Sequence, residues 1–229
     1  MKQLEAYSLG KKLGAPEANE DSLVIMPNLG YAVIDGVTDR NGTRYGGMLS
    51  GQFASRTVKR AIEKFLLAQG DASQPALQFA GGQHFVDYLG AAIFDGYVAN
   101  DAVEAVTNDW KQRGGCTVMA AIIVGDRLEV VAVGDSGLRI NGSDVLQVLK
   151  PLDDVTAIMR RETWQYFLAL GRDIETCDRL AASITWQGTR HQPAGVETAD
   201  PAILAELEAR SLKACRAHLP DVPVSEIEA

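Results

Sequence analysis

The chain has 229 residues, a formal net charge of −8 and a hydrophobic content of 46%, which is enough apolar material to build a full core in one globular domain. The negative charge repels polyanions, so nucleic acid is not expected as a partner. No apolar run reaches the roughly 18 residues that a membrane span needs, and three widely spaced cysteines predict reduced thiols in a cytoplasmic protein.

Apolar runs separated by turn residues predict a β-hairpin near the N-terminus. The runs Ser22 to Met26 and Tyr31 to Ile34 read as strands, and Pro27-Asn28-Leu29-Gly30 between them is typical of a turn. A further short strand is predicted from Ala6 to Leu9, followed by a loop.

Carboxylates stand at the ends of the two hairpin strands. Glu20 and Asp21 precede the first strand and Asp35-Gly36 ends the second, so the hairpin should bring three acids together. Carboxylate oxygens are the hard ligands that Mg²⁺ and Mn²⁺ prefer, and a glycine lets its carbonyl approach a cation closely. The alternative is that these residues only form solvated turns, because Asp-Gly is also a common turn signal.

The middle of the chain first predicts helices and then strands. Helical spacing of apolar residues predicts a helix from about Phe53 to Leu66 after a polar loop from Arg40 to Gly47, and another helix from about Gln83. After Gly114-Gly115 the period becomes strand-like, which predicts a buried strand over residues 116–124 and its return over residues 127–133.

Further turn and cap signals follow. Asn141-Gly142 predicts another hairpin. The chain is predicted to be helical from Asp153, and Asp200-Pro201 is a good start for a last helix. A capping-box pattern at Ser225 to Glu228 has no helix left to cap, so we expect the chain to be cut short of its natural end.

Four short motifs, taken in order, resemble those of the PPM or PP2C family of metal-dependent Ser/Thr protein phosphatases. They are Asn19-Glu20-Asp21, Asp35-Gly36, Gly114-Gly115-Cys116-Thr117 and Val133-Gly134-Asp135-Ser136. The resemblance covers roughly residues 5 to 140. It implies an α+β fold, a four-layer α-β-β-α sandwich of two antiparallel sheets flanked by helices, as a single domain over residues 1–229 that lacks its last strands.

The resemblance also implies a binuclear Mn²⁺ or Mg²⁺ site at one end of the sandwich. Glu20, Asp35 and the carbonyl of Gly36 would be metal ligands. Asp135 would bind a third, more weakly held ion or would contact the ligands of the metal ions. Asp21 and Asp35 would be the catalytic residues, with Asp21 orienting water. Two cations ~3.5–4 Å apart can acidify a bridging water, so no Ser or Cys nucleophile is needed. Asp135 could equally be an ordinary turn residue.

Two departures from the family pattern leave alternatives open. The position of the family's phosphate-binding Arg falls near Pro16, and Lys11, Lys12, Arg40 or Arg44 could replace it. The family's last two metal-binding Asp residues, in Asp-Gly and Asp-Asn contexts, are not found after Asp135. Three hypotheses follow: a phosphatase acting on a phosphoprotein substrate, a catalytically incomplete pseudophosphatase that binds a partner, and a small-molecule phosphohydrolase.

Overall fold

The computed structural model describes residues 4–10, 14–39, 41–148, 151–188 and 200–222. The chain forms two compact units, residues 1–148 and residues 149–229. That the two units together make one PP2C-like domain stays a prediction.

The first unit contains strands and helices. In chain order these are β1 (Ser22–Met26), β2 (Gly30–Gly36), β3 (Arg44–Tyr45), β4 (Met48–Leu49), α1 (Ser50–Ala68), α2 (Gly82–Ala99), α3 (Val103–Asn108), β5 (Cys116–Val124), β6 (Arg127–Val133), β7 (Gly137–Ile140) and β8 (Asp144–Gln147). Short 3-10 helices lie at Pro16–Ala18, Pro75–Leu77 and Trp110–Gln112.

A four-stranded antiparallel sheet in the order β1-β2-β5-β6 is the centre of this unit. The predicted N-terminal hairpin is confirmed, with Ser22 paired to Ile34 and Met26 paired to Gly30. Burial alternates along β2, where Ala32, Ile34 and Gly36 are buried while Val33 and Asp35 are exposed. Such alternation is typical of a sheet with one face covered by other elements.

The covered face packs against α1 and α2. Apolar residues recur at helical spacing along α1, so one stripe of this helix faces the sheet. The main core contains the following fully buried side chains from both helices and three strands: Val24, Ile34, Val58, Ile62, Phe65, Leu66, Phe85 and Ile122.

The opposite face of the sheet is only partly covered. Ile25, Val33 and Leu128 on this face keep 39%, 42% and 47% of their surface exposed. Besides the central sheet, the described residues form two-stranded sheets β3–β4 and β7–β8. The α+β class with antiparallel sheets is therefore confirmed, whereas the four-layer sandwich of two sheets stays a prediction.

Two short segments differ from the sequence predictions. The predicted strand from Ala6 to Leu9 is wrong, because this segment has no strand pairing and its Tyr7 and Leu9 side chains are exposed. Periodicity indicates an extended chain but cannot supply the hydrogen-bonded partner that a strand needs. The predicted loop before α1 contains the β3–β4 hairpin, whose turn residues Gly46 and Gly47 have φ of 56° and 81°, as a type I′ turn requires.

The second unit is helical. Its helices are α4 (Pro151–Ala169), α5 (Ile174–Gly188) and α6 (Pro201–His218), and α4 packs against the other two. The predicted start of α6 is confirmed, because the Asp200 carboxylate accepts a hydrogen bond of 2.8 Å from the Ala202 amide. The predicted capping box at Ser225 to Glu228 lies outside the described residues. No helix within the described ranges is long and apolar enough to cross a membrane.

Candidate metal centre

Glu20 and Asp35-Gly36 meet at one end of the central sheet. Gly36 pairs with Cys116 across β2 and β5, and Glu20 lies on the other side of Gly36, just before β1. A Cβ atom built on Gly36 would be 2.9 Å from the Cβ of Glu20 and 2.7 Å from the carbonyl oxygen of Gly51. Only a glycine fits between these groups, so close packing is a second reason for the Asp-Gly pair besides the approach of a cation.

The predicted acids share this end of the sheet but point in different directions. Asp35 is exposed between buried Ile34 and Gly36, so its side chain lies on the face away from α1. Glu20 is half-buried, and its Oε1 would be 2.8 Å from a Cβ built on Gly51 in the first turn of α1. Glu20 therefore reaches the sheet end from the helix side and Asp35 from the open side.

Asp135 lies at the same end of the sheet as Asp35. Asp35 pairs with Thr117 across β2 and β5, and the Thr117 hydroxyl is 2.9 Å from the hydroxyl of Ser136. Asp135 is exposed and directly precedes Ser136. Thr117 of the Gly-Gly-Cys-Thr motif is thus joined to Asp35 by strand pairing, and Ser136 of the Val-Gly-Asp-Ser motif is joined to Thr117 by a hydrogen bond.

An aromatic cluster fixes the backbone that enters β5. The rings of Phe53 and Tyr97 have centroids 5.3 Å apart. The Tyr97 hydroxyl donates to the Gly114 carbonyl at 3.2 Å and accepts from the Gly114 amide at 2.8 Å. The next residue, Gly115, accepts a hydrogen bond of 2.9 Å from the Val37 amide. The Asp-Gly corner and the start of β5 are therefore held together by backbone contacts.

Asp39 is a central residue of this region that the sequence analysis did not single out. Its Oδ1 accepts hydrogen bonds from the backbone amides of residues 41–43, and its Oδ2 accepts one of 2.6 Å from the Ser50 hydroxyl. Its own amide donates to Oε1 of Glu20 at 3.2 Å. The sequence carried a signal, because an Asp two residues before Asn-Gly, as in Asp39-Arg40-Asn41-Gly42, is typical of a side-chain-capped turn.

Of the predicted phosphate-binding cations, the structure describes Arg44. Arg44 is exposed in β3, and its Nη1 donates a hydrogen bond of 2.8 Å to the Gly47 carbonyl in the turn of the same hairpin. Lys11, Lys12 and Arg40 lie outside the described residues.

Burial and the negative charge of Asp35 raise the pKa of Cys116 from its ordinary value of 9.0 to about 11. The thiol is therefore protonated at neutral pH, and a protonated thiol is a poor nucleophile. Cys116 pairs with Gly36, the residue that follows Asp35, across β2 and β5. Cysteine-based chemistry is accordingly disfavoured at this end of the sheet.

The oxygen donors at the sheet end lie on both faces of the sheet. No group of three or more His, Cys, Asp or Glu residues that could hold a metal ion is found in the part of the chain that the structure describes. Glu20 and Asp35 supply carboxylates and Gly36 a carbonyl. Mg²⁺ keeps several water ligands and is usually bound through one or two carboxylates together with substrate phosphates. Because Glu20 faces α1 and Asp35 faces the open side, these residues do not form one enclosed donor set in the described structure, and a complete two-metal cage does not follow from them.

Comparisons of the chain with family models, with curated proteins and with solved structures each find no match.

Proposed function

We propose that the chain is a metal-dependent phosphatase of the PP2C type, which hydrolyses phosphate monoesters on Ser or Thr residues of a phosphoprotein. One observation carries the proposal: Glu20, Asp35-Gly36 and Asp135, which lie far apart in the sequence, meet at one end of an antiparallel sheet. The order of the motifs and the α+β architecture support it.

Each residue has a defined role in this proposal. A bound Mg²⁺ or Mn²⁺ ion supplies positive charge that acidifies water and neutralises phosphoryl oxygens. By the motif resemblance, Glu20, Asp35 and the Gly36 carbonyl would hold the ion, which requires the Glu20 side chain to turn from α1 towards the end of β2. Asp21, which is exposed beside β1, would orient the attacking water and accept its proton.

The surroundings of the site offer no ionised thiol as a competing nucleophile at neutral pH. The only cysteine at this end of the sheet within the described residues is Cys116, and its pKa of about 11 keeps it protonated. Arg44 is the described candidate for pairing with the substrate phosphate, since guanidinium groups bind phosphate oxygens well. Its present hydrogen bond to the Gly47 carbonyl would be exchanged for the substrate.

The test is hydrolysis of a phosphothreonine peptide and of a chromogenic phosphate ester by the full chain in the presence of Mn²⁺. We expect activity that requires Mn²⁺ and falls by at least ~100-fold in the Asp35→Asn variant. Asp126→Asn is the matched control, because Asp126 is exposed in the turn at the other end of β5. Equal activity in the wild-type chain and the Asp35→Asn variant would contradict the proposal.

A second candidate is a pseudophosphatase that uses the same surface to bind a partner. It is favoured by the lack of a group of three metal-binding side chains among the described residues. This candidate predicts no hydrolysis of either substrate at any Mn²⁺ concentration, together with binding of the phosphothreonine peptide. The phosphatase proposal predicts turnover, so one set of assays separates the two.

A further inference from the structure

We infer that the open face of the central sheet binds a small aliphatic primary amine, with the alkyl chain in an apolar cavity and the ammonium group at the Asp35 carboxylate. The inference goes beyond the proposed function and does not rest on it. It involves neither a metal ion nor a phosphate group.

The first step of the argument is a cavity of about 290 Å³ on this face of the sheet. Residues 4–7 and the start of β7 line it together with two rows of paired residues on β1, β2 and β5, which are Ile25, Tyr31, Ala121 and Leu23, Val33, Met119. An apolar cavity of about 150 Å³ holds benzene, so this one has room for a chain of about eight carbon atoms.

The cavity can be reached from solvent. Ile25 and Val33 keep 39% and 42% of their surface exposed, and Leu4 on the N-terminal segment keeps 48%. This segment has no strand pairing and is held near β1 by a hydrogen bond of 2.7 Å from the Asn19 side-chain amide to the Ser8 hydroxyl. An alkyl chain that covers these side chains removes apolar surface from water, which favours binding.

The second step is the polar row at one end of the cavity. Asp35 pairs with Thr117 and lies two residues beyond Val33 on the same face, about 7 Å along the strand. The Thr117 hydroxyl is 2.9 Å from the hydroxyl of Ser136. An ammonium group has three N–H donors, and this row offers it one carboxylate and two hydroxyl oxygens as acceptors.

The third step is the charge of this end of the sheet, which favours a cation. Asp21 and Asp135 are exposed at the same end, and no Lys or Arg is among the residues that line the cavity. A ligand with a carboxylate head would be repelled. A second copy of the chain would bring the same negative charge to this face. An alkyl chain with an ammonium group matches both the apolar cavity and the acidic end.

The experiment is isothermal titration calorimetry of the full chain with octylamine at neutral pH and in the presence of EDTA. Octanol and octanoate are the matched ligands, because they have the same chain length and differ in the charge of the head group. Octylamine is protonated at this pH. We expect it to bind about 5-fold more tightly than octanol, the size of an exposed ion pair, and we expect octanoate to bind more weakly than octanol.

Two variants separate the contribution of the head group from that of the chain. Asp35→Asn should weaken octylamine binding about 5-fold and leave octanol binding unchanged, whereas Asp126→Asn at the other end of β5 should change neither. Val33→Ser should weaken the binding of both ligands about 5-fold, because apolar contact is lost. Val98→Ser is its control, since Val98 is 55% exposed on α2, away from the cavity. Melting temperatures show whether each variant is folded.

Each outcome bears on one part of the inference. Equal affinity for octylamine and octanoate, or wild-type affinity for octylamine in a folded Asp35→Asn variant, would overturn the ammonium site. If that variant does not fold, the preference of the wild-type chain among the three ligands decides. Unchanged binding in Val33→Ser, or no binding of octylamine at millimolar concentration, would overturn the cavity as the site. None of these results affects the proposed function, which is tested by Mn²⁺-dependent hydrolysis.

Discussion

Replacing Gly51 by alanine tests how closely α1 is packed on the Asp-Gly corner. Gly51 is the second residue of α1. A Cβ atom at this position would overlap the carbonyl oxygen of Val37 and would lie 2.8 Å from Oε1 of Glu20. The first of these groups is backbone, so no side-chain rotation can relieve the overlap. Either α1 or the segment after Asp35 must move.

Two effects of opposite sign contribute to the expected stability change. Alanine is favoured over glycine in a helix by about 1 kcal/mol, and less near a helix end. Overpacking in a closely packed region costs about 1–3 kcal/mol. We expect the steric cost to be larger, because the contact involves rigid backbone. The net loss should be about 2 kcal/mol, which lowers the melting temperature by ~6 °C for a chain of this size.

Gly90→Ala is the matched control. Gly90 is exposed within α2, and a Cβ built on it meets no atom within 4 Å. Helix propensity alone should therefore raise the free energy of unfolding by about 1 kcal/mol, or ~3 °C in melting temperature. Thermal unfolding of both variants, followed by circular dichroism, measures the two effects. If Gly51→Ala is as stable as Gly90→Ala, the close contact between α1 and the corner is refuted.

Two further predictions concern Cys116 and Asp200. The pKa of Cys116 is raised from 9.0 to about 11. Between pH 9 and pH 11 the thiol ionises in the unfolded chain but not in the folded one, so the free energy of unfolding should be constant below pH 9 and fall as the pH rises from 9 to 11. Asp35→Asn removes the negative charge that is the second cause of the raised pKa, so iodoacetamide should alkylate Cys116 of the folded variant at a lower pH than in the wild-type chain, as measured by mass spectrometry. If the pH at which alkylation is half-maximal does not change, Asp35 does not influence the thiol. Asp200→Ala removes the side-chain cap of α6 and should lower the free energy of unfolding by about 1 kcal/mol in urea titrations; no change would show that this cap does not contribute.

Local signals predicted the hairpins and helices well. The turn at Asn141-Gly142 and the alternation in β1 and β2 set the strand pairs, because hairpin register depends on neighbouring residues. The strand predicted at Ala6 to Leu9 was wrong, because strand pairing there depends on a distant partner that periodicity does not reveal. In the same way, the sequence cannot show which elements cover the open face of the sheet.

The candidate site was predicted only in part. The hairpin prediction brought Glu20 close to Asp35-Gly36, and the structure agrees on the shared end of the sheet. The sequence could not show that the Glu20 side chain approaches the end of the sheet from the helix side, because that depends on the packing of Gly51 in α1. The role of Asp39 was missed, since its importance lies in four hydrogen bonds to a loop and a helix, and only the loop contacts have a local sequence signal.

The most direct test of the metal centre is a crystal structure of the full chain grown with Mn²⁺, with anomalous diffraction data collected at the manganese absorption edge. The account predicts an anomalous peak at the end of β2, with oxygen atoms of Asp35, Gly36 and Glu20 at about 2.0–2.2 Å from the ion. An ion bound elsewhere, or none at this end of the sheet at millimolar Mn²⁺, would contradict it.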